Sequence, residues 1–174
     1  MDNPLPITDD MVFIDLTCDQ LQTVCSSAHW QQVMGQKAPF VSREHLIKSA
    51  TQAFDELSRK DWLEAFAGHP MIGNLESLKK KYAQGAALSE QEQSGTKSAS
   101  EHELRSLLTL NQDYVERFGF IFIVCATGQS AASMLIELKR RIRRDAQQEF
   151  DTATTEQRKI SMIRLDNLIL ETLK

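Results

Sequence analysis

A chain of 174 residues, 41% hydrophobic and 25% charged, is long enough to bury one full core and crowded for two, so a single domain over 1–174 is expected. The formal net charge of −4 creates no global field that would recruit nucleic acid or an anionic membrane, and an anionic ligand must be met by locally placed cations. Cys18, Cys25 and Cys125 form no C-x-x-C pair, which argues for reduced thiols, and no apolar run approaches a membrane span; a cytoplasmic protein with small-molecule partners is expected.

In chain order, the pattern predicts a first helix over 18–29, capped by Thr17 or Asp19. Ser42 then precedes Leu46, Ile47, Ala50, Phe54 and Leu57 at helical spacing. Asp61 ahead of Trp62, Leu63 and Glu64 resembles a capping box, opening a short helix that Gly68 can end. Asn74 can cap a helix reaching Ala83, and residues 84–89 read as a turn and connection. Leu104, Leu107, Leu108, Tyr114, Val115 and Phe118 mark a long helix over 100–118, with Gly119 as its C-terminal glycine. Residues 120–126 are continuously apolar, rich in aromatic and β-branched side chains, with no evident strand partner. Further helices are predicted over 130–144 and 154–173. The expectation is an all-α domain of six to eight helices with one short extended apolar segment and no internal repeat.

Few residues carry recognisable chemistry. His69, in Gly68-His69-Pro70-Met71-Ile72-Gly73, places an imidazole that titrates near neutrality in a loop constrained by the following proline. Taken alone, such a histidine can equally cap a neighbouring helix. The basic run at 139–144, with Asp145 and Glu149 close by, reads as the solvated end of an amphipathic helix. His29, His45, His69 and His102 are far apart, and Glu101-His102-Glu103 lacks a second histidine one turn on, so no metal site is predicted. Phosphate loops and nucleophile elbows are missing from the sequence.

The phrase Asp61-Trp62-Leu63-Glu64-Ala65-Phe66-Ala67-Gly68-His69-Pro70-Met71-Ile72-Gly73, followed by Glu92-Gln93-Ser94-Gly95, resembles the decarboxylase family of 2-oxo-4-hydroxy-4-carboxy-5-ureidoimidazoline (OHCU). Pro39-Phe40, Leu110-Asn111 with Tyr114, Arg117-Phe118-Gly119-Phe120, and Ile160 with Arg164-Leu165 stand in the family's order, extending the likeness over 13–172. That family completes the conversion of urate to allantoin. The resemblance implies that His69 is the catalytic proton donor, with Pro70 beside it at the substrate, and that Glu92 is the essential carboxylate. Ser89, Glu90, Gln91 and Gln93 would be neighbouring ligand contacts, Arg164 a substrate-binding arginine, and Phe122, Ile123, Val124, Cys125 and Ala126 a segment whose backbone lines the pocket. Met71 departs from the family, where many members have a polar residue, and the connection from His69 to Glu92 is slightly longer.

The implied substrate carries a carboxylate on a hydroxyl-bearing carbon next to a ring C=N bond, which can receive the electrons released with CO2. Such a substrate is its own electron sink, so neither an organic cofactor nor a metal is expected. A homodimer is also implied by the resemblance. The competing readings are a non-catalytic helical module that binds a ureide, and a decarboxylase of a related ureide acid.

Overall fold

Hydroxyl side chains start six of the seven helices found among the described residues. The computed structural model describes residues 13–70, 76 and 100–172. Helices α1 (Cys18–Val24), α2 (Ala28–Lys37), α3 (Arg43–Asp55), α4 (Arg59–Ala67), α5 (Glu101–Phe118) and α6 (Ala131–Arg141) are capped by Thr17, Ser27, Ser42, Ser58, Ser100 and Ser130, each oxygen accepting a backbone N–H of the first turn. Helix α7 (Ala146–Thr172) is preceded by Asp145, whose Oδ1 accepts from the N–H groups of Gln147 and Gln148 at 3.0 and 2.9 Å. Each such cap is worth about 1 kcal/mol, and because it acts within three residues it can be read from sequence. The all-α expectation holds; the one β-like feature among the described residues is an isolated antiparallel bridge between Ile14 and Phe40.

Four boundaries differ from expectation. The helix expected over 18–29 is two helices, because the chain becomes extended at Cys25 and Ser27 restarts it by accepting from Trp30 N–H. Helix α4 begins two residues before Asp61: Ser58 is the cap, and Asp61 is its capping-box partner in the first turn. Helix α6 stops at Arg141, short of residue 144, and α7 begins at Ala146, eight residues earlier than 154. The expected helix from Asn74 lies outside the described residues.

The chain divides into two units, Met1–Gly68 with Arg158–Lys174, and His69–Gln157. In the first, α2 packs on α1, α3 and α4. Trp30, Phe54 and Trp62 stack in series, with ring centroids 5.3 and 5.5 Å apart, and Trp30 Nε1 donates to Ala50 O at 3.3 Å. Both tryptophans are buried packing anchors; burying a large apolar side chain contributes roughly 1.5–3 kcal/mol. Leu165 and Ile169 of α7 are also buried in this unit.

In the second unit α5 packs on α6. Gly119 adopts φ +76° at the end of α5, a left-handed conformation that disfavours any residue with a Cβ, and turns the chain into residues 120–126. Residues 121–126 form no regular element, in keeping with the expected lack of a strand partner. Tyr114 anchors the aromatic cluster there, its ring 4.7 to 5.8 Å from those of Phe118, Phe120 and Phe122.

Beneath the 120–126 segment lies a buried charge pair. The basic run at 139–144 is not wholly solvated: Arg141 is fully buried, and so is Glu149. Arg141 Nε donates to Glu149 Oε1 at 2.7 Å, Nη1 donates to Ile123 O at 2.8 Å, and the guanidinium lies 4.5 Å over the Phe122 ring. Tyr114 Oη donates to the same Glu149 oxygen at 2.5 Å. Burial first, and the Glu149 carboxylate second, push the Tyr114 phenol far above its usual range, so it stays a donor.

Candidate functional site

His69 is delivered by the end of α4. The capping box at Ser58 starts that helix, and Gly68 ends it in an ordinary right-handed conformation, φ −74°. Glycine is needed there for space: a Cβ on Gly68 would lie 1.8 Å from Ser26 Oγ. The next residue, His69, is half-buried, and Pro70 after it is exposed.

Within the His69–Gln157 unit, the imidazole meets α7. His69 Nε2 lies 2.6 Å from Oε1 of Gln157, a fully buried residue. The preceding residue of α7, Glu156, accepts the Cys125 N–H at 2.8 Å through Oε2. Two consecutive residues of one helix turn therefore hold His69 and the 122–126 segment. Ile123 is buried, while Phe122, Val124, Cys125 and Ala126 are half-buried. The segment's backbone is fastened at Ile123 O by Arg141, at Cys125 N by Glu156, and at Cys125 O by Gln129 Nε2, which donates at 3.0 Å.

Arg164 belongs to the other unit. It is half-buried, and its Nη1 lies 3.3 and 3.4 Å from the carbonyl oxygens of Thr23 and Val24, at the C-terminal end of α1. Ser161, one turn earlier on α7, also donates to Val24 O, at 3.1 Å. A cation there complements the partial negative charge of the α1 C-terminus. Next to it, burial raises the Cys25 thiol to about 11, so the buried sulfur stays protonated near neutrality.

Ser89, Glu90, Gln91, Glu92, Gln93 and Met71 lie outside the described residues. The sequence reading missed Gln157, Glu156, Arg141 and Glu149. A signal existed for two of them. Arg141 stands seven residues after Met134 and three after Leu138, on the apolar stripe of α6, and Gln157 follows Phe150 and Ala153 on that of α7. A polar side chain on an apolar stripe must find partners inside the protein.

The model of the OHCU decarboxylase family matches residues 15–166. The chain is 34% identical over 158 residues to the uric acid degradation bifunctional protein TTL of Arabidopsis thaliana, covering 90% of this chain and 48% of that protein. It is 31% identical over 144 residues to the 2-oxo-4-hydroxy-4-carboxy-5-ureidoimidazoline decarboxylase of Mus musculus, covering 83% of this chain and 78% of the mouse protein. A crystal structure of an OHCU decarboxylase in the presence of (S)-allantoin superposes with a TM-score of 0.71 at 32% identity, covering 86% of this chain and 96% of that one. The chain spans about half the length of the plant bifunctional relative and about a quarter of the bacillar ones.

Proposed function

The chain belongs to the OHCU decarboxylase family, and from that premise we propose that it decarboxylates 2-oxo-4-hydroxy-4-carboxy-5-ureidoimidazoline to (S)-allantoin in urate degradation. The observation that carries this reading is the anchoring of His69 and the 122–126 segment to Gln157 and Glu156, adjacent on α7 within one unit. A titratable ring and a strip of backbone donors and acceptors are what a small, polar, heterocyclic acid requires. The family match runs through both units, which supports reading 1–174 as one domain.

In the proposed reaction the bond from the hydroxyl-bearing carbon to the carboxylate breaks, and its electron pair moves toward the adjacent ring C=N bond, whose nitrogen takes up a proton. CO2 leaves. The enol so formed gives up its hydroxyl proton while the neighbouring carbon gains one, on a single face, and becomes the stereocentre of allantoin. His69 handles these protons, Glu92 orients His69 or the ureido group, and Arg164 binds the anion or ring carbonyls with spaced donors. Pro70, Ser89, Gln93 and the 122–126 backbone hold the ring, with Glu90 and Gln91 flanking. No step requires a metal or organic cofactor, so activity should survive exhaustive chelation and dialysis.

The test is to generate the unstable intermediate enzymatically from urate and follow optically active allantoin by circular dichroism with and without this protein. His69→Ala should fold normally and lose about 10²-fold or more of the catalysed rate. Glu92→Gln should impair turnover far more than Glu90→Gln. A protein that binds ureides without accelerating chiral allantoin formation is a binding module, and one that turns over only another ureide acid is a related decarboxylase. We assign it to the cytoplasm as a homodimer; light scattering that gives only the monomer mass would overturn the assembly.

A further inference from the structure

We infer that Gln157 is a positioning residue for His69, fixing which ring nitrogen carries the proton. The inference rests on the reading of His69 as the proton-transfer group. Gln157 is fully buried on the stripe of α7 that also presents Phe150, Ala153 and Ser161 to the interior. Leucine or methionine would fill such a position without burying an amide, which costs free energy unless its polar atoms are hydrogen-bonded. The amide oxygen lies 2.6 Å from His69 Nε2.

A carbonyl oxygen has no proton to offer, so this contact requires a proton on Nε2 whether the ring is neutral or charged. In the neutral ring Nδ1 is then the atom that accepts a proton. The hydrogen bond selects the tautomer and sets the ring plane, as an outer partner does for a metal-bound histidine. The adjacent residue sharpens the point. Glu156 spends its carboxylate oxygen on the Cys125 N–H, at 2.8 Å, while the neutral amide faces the imidazole. A carboxylate in the Gln157 position would favour the imidazolium; an amide accepts from the ring without adding a charge next to it.

The experiment uses the full chain with ¹⁵N-labelled histidine. At a pH where the ring is neutral, wild-type His69 should show a protonated Nε2, a bare Nδ1, and an Nε2–H proton held at low field against solvent exchange. Gln157→Leu should lose that protected proton and about tenfold in kcat with KM within about twofold, while Gln157→Glu, which keeps an oxygen in reach, should retain the proton. A bare Nε2 in the wild type overturns the inference, because the amide would then be presenting its NH2 group. So does a folded Gln157→Leu with unchanged kcat, or one whose loss lies in KM alone. If Gln157→Leu does not fold, the wild-type and Gln157→Glu spectra decide. Full activity in His69→Ala would instead sink the functional reading while leaving the tautomer assignment standing.

Discussion

In the His69–Gln157 unit an arginine and a glutamate, Arg141 and Glu149, are fully buried against each other, whereas in the other unit every described charged side chain keeps contact with solvent. There Arg158 pairs with Asp55 at 2.9 Å, Arg43 with Asp166 at 2.6 Å and His29 with Asp61 at 3.1 Å, all at the surface, and Arg164 binds only backbone carbonyls among the described residues. Exposed pairs are each worth about 0–1 kcal/mol, whereas burying two ions costs several kcal/mol apiece before their attraction offsets it. The buried pair is therefore poor value as a source of stability. Its consequence is local order: the guanidinium grips Ile123 O and covers Phe122, in the segment expected to line the pocket.

The largest effect should come from breaking that pair on one side. Arg141→Met leaves the buried Glu149 with only the more distant Arg144, 3.9 Å from its other oxygen, as a cation among the described residues. It should cost about 3–5 kcal/mol in urea unfolding, with most of the loss recovered when Glu149→Leu is added. A loss below about 1 kcal/mol would place the pair in the surface class. Gly68→Ala supplies an uncharged comparison, since its Cβ would collide with Ser26 Oγ. It should cost about 1–3 kcal/mol by overpacking and be relieved by Ser26→Gly.

Arg164→Lys keeps the charge and loses the planar set of donors. It should lower kcat/KM about tenfold with little change in melting temperature if Arg164 binds substrate; a lowered melting temperature with normal turnover would make it, like Arg141, a structural arginine. The smallest effect belongs to Asp61. The Ser58 hydroxyl first, then His29, hold its carboxyl at about 2, below the usual 3.8. Because the folded value is the lower one, the stabilisation is present above about pH 4 and lost as pH falls toward about 2. Asp61→Asn should flatten that part of the acid limb of an unfolding-versus-pH curve, and an unchanged limb would remove Asp61 from it.

What the sequence alone determined was set by interactions within a few residues. The hydroxyl cap at Ser42, the stripe of α5 and the glycine stop at Gly119 are local, and each was legible because helix starts, faces and ends depend on neighbours three or four positions away. The ordered family motif singled out His69, the 122–126 segment and Arg164 in the same way, as positions along a chain. Tertiary structure alone decided what those positions meet. The apolar stripes mark Arg141 and Gln157 as buried, but nothing near residue 141 names Glu149 and Tyr114 as the partners, and nothing near residue 157 says that its amide reaches an imidazole 88 positions earlier. The break after Cys25 also meets a distant part of the chain, since Gly68 closes on Ser26. A buried polar group must be satisfied by whatever the fold brings to it, and sequence spacing carries no record of that partner.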